Sequence, residues 1–244
     1  MSRLGSITAF AAEASLWLAG AALVAGAAGA HWDMPSVDLD SLAAQVWPGA
    51  SPSLVSSYTS KISADFQASG SIAGTVTVTI SGKKVDGTYS GVFKQRGNDG
   101  SSTMTMTFPG STTTGDEVSV GDSVYTRTDG GKWTKQPRSS AGLSFANLVA
   151  GGLTDKGVET HNGLRLHHLD PVKPPDTKSL FSSPNMATGT FAVVLWAKDD
   201  GTPTGFTVSG SWREEVDSAP AQSTISLDYN FDALSGVTIE APTT

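Results

Sequence analysis

The sequence predicts a mainly β chain with short helices (α+β), organised on an antiparallel sheet that has one dry and one wet face. Three observations carry that expectation. Between Thr75 and Trp133 apolar and polar residues alternate: Val76, Val78 and Ile80 share one side with Thr75, Thr77 and Thr79 opposite, and Met104, Met106 and Phe108 repeat the arrangement against Thr103, Thr105 and Thr107. Successive side chains on a strand point to opposite faces, so each run buries one side and wets the other. Turn signals break the pattern about every ten residues, among them Gly82-Lys83-Lys84, Gly97-Asn98-Asp99-Gly100, Pro109-Gly110 and Asp129-Gly130-Gly131. Finally, Thr, Ser, Gly and Val dominate the middle and end of the chain, a composition suited to strands and tight turns.

In chain order, residues 1–30 come first. Arg3 is a weak positive start, the run from Ala14 to Ala30 carries no charge, and Ala28-Gly29-Ala30 has the small-x-small pattern of a cleavage site. The segment therefore reads as a signal peptide or membrane anchor of an exported chain, periplasmic or extracellular, with residues 14–30 as its apolar run. Glu13 and the abundance of Ala and Gly speak for the other reading, an Ala-rich helix packed on the domain. Val24-Ala25-Gly26-Ala27 looks like a bacterial lipoprotein signal with Ala27 where the lipidated cysteine would stand, which leaves no site for a diacylglycerol.

Residues 31–55 form a linker with a short helix over Leu39–Val46, capped by Asp38 or Asp40 and ended by Pro48. Trp32 and Trp47 fit either a membrane interface or ordinary packing of that helix. Residues 56–244 form the main domain. Leu54 to Ile62 begins it with one or two helical turns. A first strand over Ala64–Ile72 is followed by a turn bracketed by Gly70 and Gly74, then by Thr75–Ser81. Val85, Tyr89 and Phe93 share a face of the next strand, and the meander continues through Ser101–Phe108, Glu117–Val120, Ser123–Thr128 and Lys132–Lys135. Consecutive strands joined by short turns need no crossover helices.

Ser144 to Gly151 reads as a short helix, with Phe145, Leu148 and Val149 on one side. Gly157 to Leu169 returns as strand through an Asn162-Gly163 turn, and Pro171 to Pro184 is a proline-rich loop with at most a helical turn at Leu180-Phe181. Thr190–Lys198 is apolar on both sides, which predicts a central strand covered on both faces. Gly205–Glu214 and Ser223–Phe231 complete the sheet, and Val237-Thr238-Ile239 is a terminal extended segment.

Composition narrows the function. The chain has 244 residues, with 16 Lys and Arg against 23 Asp and Glu for a net charge of −7, and no block of basic residues. That argues against nucleic-acid binding and against a polybasic membrane patch. The absence of cysteine excludes disulfides, thiolate metal sites and cysteine nucleophiles. His161, His167 and His168, with Glu159 and Asp170, are the only polar cluster of note. His167 and His168 point to opposite sides of a strand and cannot share one metal, although His161 could pair with His167 across the turn. Glu214 and Glu215 are adjacent, hence on opposite faces. There is no Gly-x-Ser-x-Gly elbow, His-Glu-x-x-His pair or phosphate loop. No enzyme activity, metal or cofactor is expected.

The order of elements and several stretches resemble the LolA/LolB and LprG-type family of bacterial envelope lipoproteins. The stretches are Gly121-Asp122-Ser123-Val124-Tyr125-Thr126-Arg127 with Gly131-Lys132-Trp133; Gly157-Val158-Glu159-Thr160 with Leu166-His167-His168-Leu169; Trp196-Ala197-Lys198-Asp199-Asp200-Gly201-Thr202-Pro203; and Gly236-Val237-Thr238-Ile239-Glu240-Ala241-Pro242. The resemblance covers roughly residues 56 to 244. It implies an incomplete antiparallel β-barrel with short helices across its open face. It further implies non-catalytic binding and carriage of a lipid, a lipoprotein acyl chain or a glycolipid in the cell envelope. The apolar lining would then come from Val78, Ile80, Tyr89, Phe93, Met104 and Met106 on the meander. Trp196, Phe206, Leu227 and Tyr229 would supply the rest from the later strands. Methionine suits such a lining because its thioether adapts to varied shapes. The same residues could equally close a dry core, in an envelope structural or sensor domain that docks a protein partner; alternation alone does not separate the two.

Overall fold

The computed structural model describes residues 52–62, 66–138, 149, 151–173, 189–216 and 219–243. The export segment expected over residues 1–30, the linker helix expected at Leu39–Val46 with Trp32 and Trp47, most of the helix expected over Ser144–Gly151, and the loop expected around Leu180-Phe181 lie outside the described residues. Among the described residues, no helix is long and apolar enough to cross a membrane.

The helix α1 (Pro52–Lys61) leads into a long strand, β1 (Gln67–Ile80). Leu54, Tyr58 and Ile62 recur every fourth residue, so one side of α1 is apolar, and all three are buried in the core. From β1 the chain meanders outward through β2 (Lys83–Arg96), β3 (Asp99–Phe108), β4 (Ser111–Val120), β5 (Ser123–Thr128) and the short β6 (Thr134–Pro137). It resumes at β7 (Leu153–His161) and meanders back through β8 (Leu164–Pro171), β9 (Thr190–Ala197) and β10 (Pro203–Val216) to β11 (Ala219–Ala233). All neighbouring pairs are antiparallel, and β11 docks on the free side of β1, giving the order β6-β5-β4-β3-β2-β1-β11-β10-β9-β8-β7. The strands β6 and β7 are the two edges, so the sheet is an open half-barrel, as the family resemblance implies.

The hairpin turns from Gly82 onward fall where the sequence places them. Gly82, Gly97, Gly110, Gly121, Gly130 and Gly163 all have positive φ at hairpin turns, a conformation that costs glycine little. The expected turn at Gly70–Gly74 does not form. The two predicted strands are one continuous β1, and both glycines sit inside it against β11. A Cβ on Gly70 would lie 1.7 Å from the Asn230 carbonyl oxygen, and one on Gly74 would lie 2.1 Å from that of Ser226. The register also shifts between Ser69 and Gly70. Glycine here permits close backbone approach and a bulge in the middle of the sheet, which is its other use within strands.

Alternation holds across the sheet. Even-numbered residues of β1 and β3 and odd-numbered residues of β2, β9 and β11 point inward, where Ile72, Tyr89, Met106, Leu195, Phe206 and Leu227 help form one cluster. The outer face is rich in hydroxyls paired across strands: Thr105 with Thr114 at 3.0 Å, Thr77 donating to Asp86 at 2.6 Å, and Thr103 donating to Asp116 at 2.6 Å. Covering of β9 on both sides is confined to its end. Leu195, Trp196 and Ala197 are all buried, whereas Ala192 is exposed.

Candidate ligand-binding face

The inner face is where the sequence placed its candidate residues, and nine of the ten lie in its apolar cluster: Val78, Ile80, Tyr89, Phe93, Met104, Met106, Phe206, Leu227 and Tyr229. Register explains their neighbourhood. Tyr89 stands opposite Met106, and Gly91 stands opposite both Met104 and Ile72. The strand β11 then joins the two halves, with Tyr229 opposite both Ile72 and Phe206 and Leu227 opposite Val208. Aromatic rings line this seam. Phe206 stacks on Tyr229 with centroids 4.2 Å apart, and Phe93 meets Tyr229 edge-on at 5.8 Å, geometries that add to simple area burial. Gly91 lets β3 approach closely, since a Cβ there would stand 2.3 Å from the Thr103 carbonyl oxygen and 3.1 Å from the Met104 Cγ.

Trp196 belongs to the opposite face, which corrects the sequence-based assignment. The reason is parity: Leu195 and Ala197 take the inner positions of β9 and leave Trp196 outside. It is nevertheless buried, because the tip of the β7–β8 hairpin folds over it. His161 stacks on its ring at 4.1 Å with a 10° interplanar angle, and His168 lies at 5.2 Å. Its Nε1 donates to Thr207 Oγ1 at 2.9 Å, and Thr207 donates to Asp228 Oδ1 at 2.6 Å. Asn162 Nδ2 donates to Asn230 Oδ1 at 3.0 Å and ties the hairpin tip to β11. A cleft of about 370 Å³ opens beside this contact, lined by His161, Leu164, Trp196, Asn230, Phe231 and others.

His167 and His168 diverge as expected. His167 Nδ1 lies 2.9 Å from Asp155 Oδ2, while His168 sits between Glu159 at 3.1 Å and Asp170 at 2.8 Å. His161 accompanies His168 on Trp196 and does not pair with His167, because the hairpin tip bends towards β11. Among the described residues, no three His, Cys, Asp or Glu side chains are grouped to hold a metal.

Sequence reasoning passed over one feature of the inner face. At the end away from Ile80, apolar residues give way to buried polar ones: Gln95, Ser102, Glu117, Ser119 and Thr126. Ser102 stands opposite Glu117, and Glu117 opposite Thr126. One step along, Gly100 separates Gln95 from Ser119. Burial pushes the Glu117 carboxyl up to about 8, against the pull of the Arg138 guanidinium. Arg138 itself is pulled below the usual arginine range by its own burial, which the nearby Asp99 carboxylate opposes. Phase was the available signal, since Gln95 follows Tyr89 and Phe93 at even spacing and Ser102 precedes Met104 and Met106.

No protein-family model matches this sequence, and no curated protein sequence matches it. Among solved structures, the chain is similar to the lipoprotein LppX of Mycobacterium tuberculosis, at 16% identity and a TM-score of 0.41, over 78% of this chain and 100% of that one. It is also similar to a DUF1329 family protein from Desulfovibrio piger, at 11% identity and a TM-score of 0.32, over 76% of this chain and 93% of that one. A Vibrio parahaemolyticus domain described as an outer membrane lipoprotein-sorting domain is similar at 7% identity and a TM-score of 0.26, over 75% of this chain and 90% of that one.

Proposed function

We propose that this chain is a non-catalytic binding protein of the bacterial cell envelope. It holds the apolar part of a lipid, of a lipoprotein acyl chain or of a glycolipid against the inner face of its half-barrel. The observation that carries the reading is the inner face itself, an apolar surface spread over strands on both sides of β1 in a sheet whose edges do not meet. A closed barrel would wall that surface off, whereas an open one can part from its cover. Each CH₂ of a chain laid there gains about 0.8 kcal/mol, and Met104 and Met106 supply an adaptable centre. The sequence stretches resembling LolA/LolB and LprG-type lipoproteins support the same reading.

A second reading has its own observation. Met106 is 0% exposed and Met104 1%, so protein atoms already cover the face, as they would in a domain that docks a partner through other surfaces. One experiment separates the two. Protein purified from a bacterial envelope is extracted with organic solvent, and the extract is examined by mass spectrometry. The carrier reading expects an acyl-bearing compound in a fixed molar ratio to protein. An extract free of such compounds, together with no uptake of added oleate esters by the stripped protein, leaves the filled core.

A further inference from the structure

The polar end of the inner face carries a second binding determinant. Gln95 is 4% exposed, Glu117 6% and Ser119 0%, and each holds a buried atom without a hydrogen-bond partner: Gln95 Oε1, Glu117 Oε1 and Ser119 Oγ. Polar atoms in that condition are costly to a fold, and a native structure that keeps three on one patch invites a functional account. Their chemistry is specific. Gln95 Nε2 is committed to the Gly97 carbonyl, which fixes the amide and leaves Oε1 as an acceptor. Ser119 Oγ can donate or accept. The guanidinium of Arg138, the cation near Glu117, donates to the carbonyls of Gly121 and Asn98 and lies 3.6 Å from Asp99. The patch thus offers acceptors and hydroxyl-type partners, beside a guanidinium whose two terminal nitrogens already donate to backbone carbonyls. It adjoins the apolar surface directly, because Ser102 stands opposite Phe93 and two residues from Met104.

We propose that Gln95, Glu117 and Ser119 form a head-group subsite for an uncharged, hydroxyl-bearing amphiphile, such as an acylglycerol or a glycolipid, whose apolar chain lies on Met104 and Met106. The inference rests on the inner face being the lipid-binding surface. Hydroxyls satisfy acceptors and a serine at once, whereas a phosphate brings acceptors only to a patch whose Gln95 Oε1 and Glu117 Oε1 are themselves acceptors. A carboxyl held protonated by burial can itself donate to such a group.

The test compares four amphiphiles by displacement of a fluorescent fatty acid from the full chain: monoolein, dodecyl glucoside, methyl oleate and oleoyl lysophosphatidic acid. Monoolein and methyl oleate share one chain and differ in two hydroxyls. The subsite predicts that monoolein binds at least tenfold tighter than methyl oleate and than the phosphate. Dodecyl glucoside shows whether a sugar serves in place of glycerol. In Ser119→Ala and Glu117→Leu the advantage of monoolein should fall to about twofold, while the melting temperature holds or rises because an unpartnered polar atom is gone. A purely structural role for these side chains would instead lower the melting temperature and keep the discrimination. Equal binding of monoolein and methyl oleate, or preference for the phosphate, overturns the subsite and leaves the lipid-binding face standing. Failure of all four to bind overturns both.

Discussion

Glu117 is a carboxyl that the fold holds protonated, and this gives stability a pH dependence of known sign. Burial raises its folded-state pKa to about 8 from the ordinary carboxyl value of 4.5. Its contribution is therefore fully present below the lower value. It is lost as pH rises to the upper one, because the unfolded chain releases the proton first. Between pH 5 and pH 8 the loss is on the order of 4 kcal/mol, and urea midpoints at the two values measure it. Glu117→Gln should flatten that slope. Trp196 makes a complementary case. Trp196→Phe removes the donor to Thr207 and shrinks the ring under His161, at a cost of about 1–2 kcal/mol. Because the residue lies on the outer face, acyl binding should be unchanged, as titration with monoolein would show. These two residues also mark how far the sequence could be read. Glu117 was within reach, in phase with inward neighbours, but a charged residue discourages an inward assignment. Trp196 stands in an apolar run on both sides of β9, and such a run does not state which parity faces the core.

The element that couples cover to sheet is α1. Ser57 Oγ donates to the Asp200 carbonyl at 2.7 Å, and Lys61 Nζ donates to the same oxygen at 2.9 Å and to Thr202 Oγ1 at 3.0 Å. The turn between β9 and β10 is shaped to receive the helix. Gly201 has φ +72°, and a Cβ there would lie 2.7 Å from the Ser57 side chain. Gly201→Ala combines an unfavourable backbone conformation with a clash at the helix. It should destabilise the protein by about 2–3 kcal/mol, read as a lowered urea midpoint, while Lys61→Ala on the exposed side of the same junction should cost under about 1 kcal/mol. The hairpins were legible because Asn-Asp-Gly and Asp-Gly-Gly turns carry their own conformational preference. The single strand β1 was not, because Gly70 and Gly74 look locally like punctuation, and only their partner β11, distant in sequence, shows that they answer to backbone proximity.

At the scale of the molecule, the pairing of β1 with β11 is the decisive long-range contact. It joins the opening strand of the sheet to its closing one through a register running from Ser69 opposite Ala233 to Ile80 opposite Ala221. Each half is a meander of sequence neighbours, and this one ladder makes them a single sheet. Pairings so distant in sequence form slowly, and a central ladder opens last. Native-state hydrogen exchange should therefore be slowest in β1 and β11 and fastest in β6 and β7, with uniform protection across the sheet as the contrary result. The meanders themselves were readable from turn spacing. The open half-barrel came from resemblance, since no local signal tells a terminal strand to return to the first.

That ladder also fixes where the chain enters and leaves the sheet. The start of β1 and the finish of β11 lie side by side, and the amide of Val237 just beyond still donates to the Gln67 side chain at 3.1 Å. Anything fastened behind the last strand would hang from the corner of the rim where the first begins, and the inner face would keep one attitude towards whatever surface held that leash.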